Sequence, residues 1–437
     1  MLERWFSLAA SGTDVRTEIL AGATTFLTMA YIIFVQPAVL GAAGMDQGAV
    51  LTATCLASAF ATVLMAWLAN YPIAVAPAMG HNFFFAFTVV VGQGTPWQVA
   101  LGAVAIAGLI FILTAGIGLR ERVITAVPES LKHAIAIGIG LLIALIGLQW
   151  SGIVVDSPGT LVTLGDLTRP PVVLAVATLA ATAVLMARGV RGALLIGMLG
   201  ATAAALAMGL VRFEGVVAMP PSLAPTFLQL DILGALQPAL FDVVLVFFLL
   251  ALFDSIGTLI AVAGRIGLVR DGTLPRARQA LFADAAGTVV GAGLGTSTVT
   301  AYIESSTGVA AGGRTGLASM VTAALFLVAL FFHPLVRMIG GGFLTDGGVL
   351  YPIVAPALVI VGVMMMEGVR QVPWEDFTEA FPAFLTLVTI PLAVSITDGI
   401  AFGFISYAVL KLATGRRREL HWLGYVFAIA LGLRYVV

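Results

Sequence analysis

The sequence predicts an all-α polytopic membrane protein with fourteen transmembrane segments, arranged as two inverted repeats of seven. Three observations support this fold class. Of the 437 residues, 60% are hydrophobic and only 10% are charged, with a mean hydropathy of +1.09, which excludes a soluble globule or a disordered chain. Apolar runs close to the ~20 residues that a spanning helix needs recur along the chain. A proline-rich linker, residues 212–236, divides these runs into seven and seven.

The predicted spans follow one another through mostly short loops. Residues 1–16 form a cytoplasmic N-terminal segment, and the first apolar run is predicted to be a signal anchor, because further spans follow it immediately. The first repeat, residues 17–211, has spans at 17–38, 48–69, 80–92, 97–118, 131–150, 171–188 and 192–211. The second repeat, residues 237–414, has spans at 237–263, 279–294, 302–311, 315–333, 349–367, 377–396 and 399–414. In the basic C-terminal segment, 415–437, residues 419–435 either cross the membrane or lie at its interface, and we favour the interface.

The third span of each repeat is short, and an extended stretch precedes it. In the first repeat this stretch is NYPIAVAPAMG, residues 70–80, and in the second it is GTSTVT, residues 295–300. Corresponding interrupted segments in two halves are typical of inverted-repeat transporters, whose substrate site lies where the half-helices begin. Because seven is an odd number, the two halves must insert with opposite topology.

Basic residues are distributed unevenly between the two sides of the membrane. With the N-terminus inside, the outside loops hold only Arg169, Arg212 and Arg337. The inside loops hold a larger set: Arg120, Arg122, Lys132, Arg188, Arg191, Arg265, Arg270, Arg276, Arg278, Arg314, Arg370, Lys411, Arg416, Arg417 and Arg418. This positive-inside asymmetry predicts cytoplasmic N- and C-termini in the plasma (inner) membrane.

Polar residues gather in one apolar region of the chain, residues 294–313. They are Thr296, Ser297, Thr298, Thr300, Tyr302, Glu304, Ser305, Ser306 and Thr307. A carboxylate among them is costly in lipid, so Glu304 is predicted to belong to a functional site. From about Tyr302 the stretch is predicted to form a half-helix, with its free N–H groups and positive dipole end near mid-membrane.

Three other carboxylates lie within or at the ends of predicted spans, at different distances from the span ends. Asp254 lies deep in the eighth span, within LVFFLLALFDSIGTLIAV, where a carboxylate must face a cavity or be protonated. Asp254 and Glu304 are therefore candidates both to bind the substrate and to carry a coupling proton. Asp284, near the cytoplasmic end of the ninth span, either pairs with a loop arginine or has a functional role, and we favour the pairing. Asp398, after span 13, is predicted to have a turn or cap role.

The half-helix of the first repeat offers polar and aromatic candidates of its own. Asn82 either presents a donor and an acceptor to a ligand or caps the helix. His81 is a candidate proton carrier or, alternatively, a packing residue. Phe83, Phe253 and Tyr302 flank the same point, where aromatic rings stack on a planar ligand or simply pack.

Two further residues complete the predicted substrate-binding set. Ser305 follows Glu304 directly, and Thr25 belongs to a polar stripe on the first span. This stripe either lines the cavity or makes hydrogen bonds between helices; its members are Thr24, Thr25, Thr28, Tyr31 and Gln36.

The sequence lacks the motifs of the common enzyme classes. There is no Walker motif, no GxSxG, no HExxH and no dinucleotide fingerprint in a strand–helix setting. The one cysteine, Cys55, and four scattered histidines show no ligand spacing, so no metal and no cofactor is predicted. The net charge of -1 gives no indication of nucleic-acid binding.

Four segments of the chain follow a known family pattern: GTDVRTEILAGATTFLTMAYIIFVQPAVL, APAMGHN, ALFDSIGTL and GTSTVTAYIESSTGVAAGGRTGL. They resemble the AzgA-like purine permeases of the nucleobase–cation symporter (xanthine/uracil permease) superfamily, and the similarity runs through nearly the whole chain. The resemblance implies a core domain (spans 1–4 and 8–11) that moves against a gate domain (spans 5–7 and 12–14) in an elevator-type motion. It implies proton-coupled uptake of hypoxanthine, guanine or adenine, homodimers, and contacts from Asp254, Glu304 and Asn82 to the base.

The chain departs from the family pattern near the predicted site. The family usually reads close to APGMGLNAFFAYT in span 3, whereas this chain has Ala78, His81, Phe83 and Phe87 at the differing positions. The pair 306–307 is Ser-Thr in place of two alanines. The alternatives are therefore a transporter of another small planar or nitrogenous solute, or an anion carrier like the sulfate permeases and bicarbonate exchangers. Two carboxylates disfavour the anion, and the missing catalytic residues disfavour a membrane enzyme.

Overall fold

The computed structural model describes residues 2–117, 127–268, 274–345, 348–433 and 435. Arg120, Arg122 and Arg270, which contribute to the charge asymmetry, lie outside the described residues. Among the described residues, eight helices are long and apolar enough to cross a membrane. The other predicted spans are present as helices that are shorter or more polar.

The first repeat follows the predicted order of spans. An N-terminal helix, α1, spans Leu2–Phe6. The elements that follow are α2 Val15–Met29, α3 Ile32–Ala42, α4 Gln47–Leu64, β1 Val75–Pro77, α5 Met79–Phe83, α6 Trp97–Ile117, α7 Glu129–Trp150, β2 Val154–Ser157, β3 Leu161–Leu164, α8 Pro170–Ala187 and α9 Ala193–Ala207. Helix α4 continues as a π-helical turn, Met65–Ala69, and α5 continues as a π-helix, Phe84–Gly92.

The second repeat has the corresponding elements in the same order. They are α10 Ile232–Ala235, α11 Phe241–Arg265, α12 Ala277–Leu294, β4 Val299–Ala301, α13 Ser305–Ala310, α14 Gly316–Ala329, α15 His333–Gly340, β5 Phe343–Thr345, β6 Gly348–Leu350, α16 Ala355–Met365, α17 Phe377–Ala393, α18 Ile396–Ala413 and α19 Trp422–Leu433. Short 3₁₀ turns at Pro238–Leu240, Leu330–Phe332 and Met366–Gln371 adjoin α11, α14 and α16.

Several boundaries differ from the prediction. The twelfth span begins at Ala355 and not at residue 349, because Gly348–Leu350 is a strand that pairs with β5. Apolar content alone does not separate a short strand from the first turn of a helix. The first span is two helices that meet at Ala30 and Tyr31, and the half-helix of the second repeat begins at Ser305, three residues later than predicted.

The helices pack as two bodies. In the core domain, α14 packs on α2 and α4, and α12 packs on α4 and α6. In the gate domain, α7 packs on α16 and α17, and α17 packs on α18. Glycines allow the closest of these crossings: a Cβ on Gly362 of α16 would lie 2.6 Å from the carbonyl oxygen of Gly140 of α7. The core and gate domains therefore match the predicted division of the spans.

Two smaller predictions concern the end of the chain. Asp398 lies in the first turn of α18, while the cap is Ser395, whose hydroxyl accepts from the Asp398 N–H at 3.2 Å. Helix α19 packs on α18. Its twelve residues make ~18 Å of helix, and its interfacial position stays a prediction.

Candidate functional site

Two short strands cross at the centre of the core domain and bring the two repeats together. Strand β1 pairs antiparallel with β4, with Val75 opposite Ala301, Ala76 opposite Thr300 and Pro77 opposite Val299. All six residues are buried. Because each strand runs directly into a half-helix, α5 or α13, the crossing places the start of both half-helices beside the same point.

A cavity of about 700 Å³ lies at this point, between core and gate. On the core side, the cavity is lined by the junction of α2 and α3, by α11, by β4 and by the start of α13. On the gate side, it is lined by the α8–α9 turn and the end of α16. Its core-side polar residues are Thr28, Tyr31, Asp254, Thr258, Thr300, Tyr302, Glu304, Ser306 and Thr307. Its gate side includes the apolar Val190, Leu194, Val361, Met364 and Met365.

The predicted pair of carboxylates meets in this cavity. Thr300 donates its hydroxyl to Asp254 Oδ2 at 2.9 Å, and Tyr31 donates its hydroxyl to Glu304 Oε1 at 2.9 Å. Asp254 is exposed and Glu304 is half-buried, because both face the open volume of the cavity. Each carboxylate is thus oriented by one protein hydroxyl and accessible to a solute.

The half-helix α13 is anchored by hydrogen bonds to Thr28 and to Arg314. Glu304 occupies its N-cap position, and the Thr307 hydroxyl lies 2.9 Å from that of Thr28 on α2. At the other end the Arg314 guanidinium donates to the carbonyl oxygens of Val309 and Gly313, at 2.9 and 2.8 Å. The helix has six residues, so its macrodipole is small, and anchoring of the half-helix matters more here than the dipole end invoked from the sequence.

Behind the half-helix, a buried carboxylate fixes the next helix. Glu18 of α2 is fully buried and accepts three backbone N–H groups, from Arg314 at 2.8 Å, Thr315 at 3.3 Å and Ala318 at 3.1 Å. It thereby caps the N-terminus of α14. Glu18 was not predicted as a functional or structural residue from the sequence; the nearest signal is its place four residues after Asp14, in the first turn of an apolar helix.

Tyr302 lines the cavity, but four other predicted substrate contacts lie behind its wall. Asn82 is fully buried, and its Oδ1 accepts a hydrogen bond from the Ser297 hydroxyl. Ser305 accepts the Ala74 N–H at 3.0 Å, and Phe83 stacks on Phe87. Thr25 is buried too and is absent from the lining of either cavity. These side chains support the strands and half-helices.

A second cavity, of about 490 Å³, lies on the other side of α11. It separates α11 of the core from α7 of the gate, and His81 and Phe253 both line it. The Lys132 ammonium lies 5.7 Å from the centre of the Phe253 ring. Asp254 contributes to both cavities. His81 and Phe253, which were predicted to lie beside the ligand, therefore line the second cavity instead.

The prediction that Asp284 pairs with a loop arginine is wrong. Asp284 is fully buried, in the middle of α12, and its Oδ2 accepts the Ala301 N–H at 3.3 Å. Because Ala301 follows Thr300 in β4, the crossing strand lies between Asp284 and Asp254. Thr300, which was predicted only as one member of the polar stretch 294–313, lines the cavity. Thr258 also lines it and was not singled out from the sequence; it lies one helical turn after Asp254, a spacing that could have identified it.

Membrane-length helices and a solute-sized cavity between two packed bodies are typical of a polytopic membrane transporter. The family follows from comparison with known proteins. The chain belongs to the xanthine/uracil permease family: its model, described as a permease family, matches residues 16–402.

The relatives of this chain are permeases. It is 51% identical to a putative permease of Methanocaldococcus jannaschii, over 100% of this chain and 98% of that protein. It is 44% identical to the adenine permease AdeP of Escherichia coli, over 100% of this chain and 96% of that protein. It is 44% identical to the guanine/hypoxanthine permease PbuG of Bacillus subtilis, over 100% of this chain and 99% of that protein. The resemblance to the purine permeases is confirmed.

Solved structures confirm the fold class. The transmembrane domain of the cyanobacterial bicarbonate transporter BicA has a TM-score of 0.65 at 15% identity, covering 89% of this chain and 97% of that chain. The overall structure of SLC26A9 has a TM-score of 0.63 at 12% identity, covering 92% of this chain and 66% of that chain. These likenesses establish the fold alone: two inverted seven-segment repeats with a core and a gate.

Proposed function

We propose that this permease takes up purine nucleobases (hypoxanthine, guanine or adenine) together with protons. The observation that carries the proposal is the meeting of Asp254 and Glu304 in one cavity between core and gate. Its volume of about 700 Å³ falls in the ~300–1,000 Å³ range of small-molecule sites. The adenine and guanine/hypoxanthine permeases among the relatives support the same class of substrate.

The chemistry of a purine suits this cavity. A purine is planar and carries N–H donors beside ring-nitrogen or carbonyl acceptors. Ionised carboxylates accept only, so Asp254 and Glu304 suit the N–H groups of the base. The Tyr302 ring lines the same volume while its hydroxyl donates to the Pro77 carbonyl at 2.5 Å, which leaves the ring in a fixed orientation. A free anion would meet two negative charges here, which disfavours the anion-carrier alternative.

Transport follows from the division into two bodies. The core carries both carboxylates and both half-helices, whereas the gate presents the apolar Val361, Met364 and Met365. Moving two charged carboxylates past such a surface is costly, and a bound proton together with the base lowers that cost. We therefore propose elevator-type alternating access, in which the core moves only when loaded and neutralised.

The open end of the cavity indicates the state of the transporter. Arg191, Arg265 and Glu367 line the cavity and are exposed at one end of the molecule. Under the positive-inside rule this end is cytoplasmic. We propose that the structure is inward-open, in the inner membrane, with both termini cytoplasmic. From the family resemblance we also propose a homodimer, which light scattering on the purified protein tests.

The test is uptake by purified protein in liposomes. Labelled hypoxanthine, guanine and adenine are offered with and without an inward proton gradient, and again after an uncoupler. We expect saturable uptake of at least one purine that rises with the gradient and collapses with the uncoupler. Asp254→Ala serves as the inactive control, and a thermal-shift panel adds xanthine, uracil, a guanidinium compound, sulfate and bicarbonate. Uptake that ignores the gradient contradicts proton coupling, and stabilisation only by a non-purine contradicts the substrate.

A further inference from the structure

A buried hydroxyl without a partner lies in the described part of the cavity wall. Ser306 is the second residue of α13, two positions after Glu304; it lines the cavity and is only 5% exposed. Its Oγ makes no hydrogen bond to any of the described residues. Most buried side-chain hydroxyls have a hydrogen-bond partner. We therefore look for the partner of the Ser306 hydroxyl in a solute bound in the cavity.

Four other hydroxyls of the cavity wall are already engaged. Thr307 and Thr28 contact one another at 2.9 Å, and Thr307 also donates to the Glu304 carbonyl oxygen at 2.7 Å. Tyr31 donates to Glu304, and Thr300 donates to Asp254. Residues 306 and 307 are the two positions where this chain has Ser-Thr and the purine permease pattern has two alanines. The Thr307 hydroxyl bonds to the protein, whereas the Ser306 hydroxyl is available to a solute.

The polarity of the surroundings decides which solute atom Ser306 meets. The two carboxylates are acceptors when ionised, and they suit the N–H groups of a base. A serine hydroxyl, unlike an ionised carboxylate, can donate a hydrogen bond. It can therefore bind a ring nitrogen or a carbonyl oxygen of the same base, because these atoms only accept. We propose that Ser306 is a specificity-determining residue that donates a hydrogen bond to an acceptor atom of the bound purine. This inference rests on the proposed function.

The experiment measures dissociation constants for the full chain in detergent by calorimetry. The ligands are hypoxanthine, guanine and adenine, their 1-, 3- and 7-deaza analogues, and unsubstituted purine, which lacks the C6 substituent. We expect Ser306→Ala to weaken binding of the parent bases by about tenfold, the range for one hydrogen bond. One analogue, which lacks the contacted acceptor, should bind wild type and variant equally. Ser306→Cys, a weaker donor, should shift binding in the same direction.

The control removes the hydroxyl of another buried serine, outside both cavities. Ser58 is fully buried, donates to the Thr54 carbonyl of its own helix at 2.7 Å and lines neither cavity. Ser58→Ala should leave every dissociation constant unchanged. Equal binding by wild type and Ser306→Ala for all ligands overturns the inference alone, as does a uniform loss that no analogue escapes. If wild type binds none of the purines, the proposed function fails and the inference fails with it.

Discussion

The Tyr31 hydroxyl donates a hydrogen bond of 2.9 Å to Glu304 Oε1, across a separation of 273 residues. This bond joins the first membrane helix pair to the half-helix of the opposite repeat. The Tyr31 side chain is buried and lines the cavity from the side of α2 and α3. It therefore holds the carboxylate of Glu304 in one orientation toward the volume that a substrate would occupy.

Tyr31→Phe should weaken substrate binding. The change removes one bond to a charged acceptor while it keeps the ring, and such bonds contribute about 1.5–3 kcal/mol. We expect the Michaelis constant for the transported purine to rise about tenfold or more with little change in protein yield. Tyr425→Phe is the matched control, because the Tyr425 hydroxyl donates to Arg417 in the exposed tail. Equal Michaelis constants for Tyr31→Phe and wild type would remove this bond from the mechanism.

Asp254→Ala and Glu304→Ala should each abolish transport while expression remains intact. Each variant removes a carboxylate that lines the cavity, and the loss of even one bond to a charged group lowers affinity by about 10- to 150-fold. Uptake in liposomes and elution on size exclusion are measured together. Wild-type uptake in either variant excludes that residue from the site.

Glu304→Gln separates binding from coupling. The amide keeps the shape of the side chain and accepts from Tyr31, but it carries no titrating proton. We expect it to bind a purine while its uptake no longer depends on an imposed proton gradient. If uptake by this variant still follows the gradient, the coupling proton is carried elsewhere, with Asp254 as the next candidate.

Glu18→Ala should destabilise the core domain. The substitution leaves the backbone N–H groups of Arg314, Thr315 and Ala318 without their buried acceptor. One unpaired buried group costs about 1–3 kcal/mol, so we expect a total loss of about 3 kcal/mol or more and a clearly lower melting temperature in detergent. Glu375→Ala, at an exposed loop position, is the control. A melting temperature equal to that of wild type would show that water replaces the carboxylate without cost.

The polar cluster at the start of α17 predicts a stability that depends on acidic pH. Hydrogen bonds from Thr378 and Arg416 lower the pKa of Asp376 to about 2, and hydrogen bonds from Arg416 and Lys411 lower the pKa of Glu419 to about 2. A carboxyl whose folded pKa is depressed stabilises the fold above its ordinary pKa, near 4, and loses that contribution as the pH falls toward 2.

The measurement compares wild type with the double variant Asp376→Asn/Glu419→Gln. We expect the wild type to melt higher at pH 5 and the difference between the two melting temperatures to shrink as the pH is lowered from 4 to 2.5. A difference that stays constant over this window would contradict the assignment of the shifted groups to these two carboxyls.

His81→Leu tests the second cavity. In the structure, His81 lines the 490 Å³ cavity beside Phe253 and is absent from the lining of the larger one. We therefore expect the ratio of hypoxanthine to adenine affinity to stay unchanged. An altered ratio would show that the base reaches the second cavity.

Much of the fold could be predicted because membrane insertion is a local, compositional constraint. Every backbone polar group must be satisfied within its own segment in lipid, so apolar runs identify helices, and basic loops identify their orientation. The same constraint identified Glu304 and Asp254 as candidates, because a carboxylate deep in a membrane span is costly and therefore indicates a function. The boundaries that failed, at residues 30–31 and 348–350, are places where a kink or a strand has the same composition as a helix.

What the sequence alone determined is the class of architecture, the pair of carboxylates and the family. The tertiary structure decided which side chains share a cavity. The pairing of β1 with β4 spans more than 220 residues, and neither strand carries a signal for its partner. That crossing buries Asn82, Ser305 and Asp284 behind the cavity wall, and places Tyr31, Thr300 and Ser306 on it. The type of a residue determines which hydrogen bonds its side chain can donate or accept. Only the packing of the folded chain determines which groups that side chain contacts.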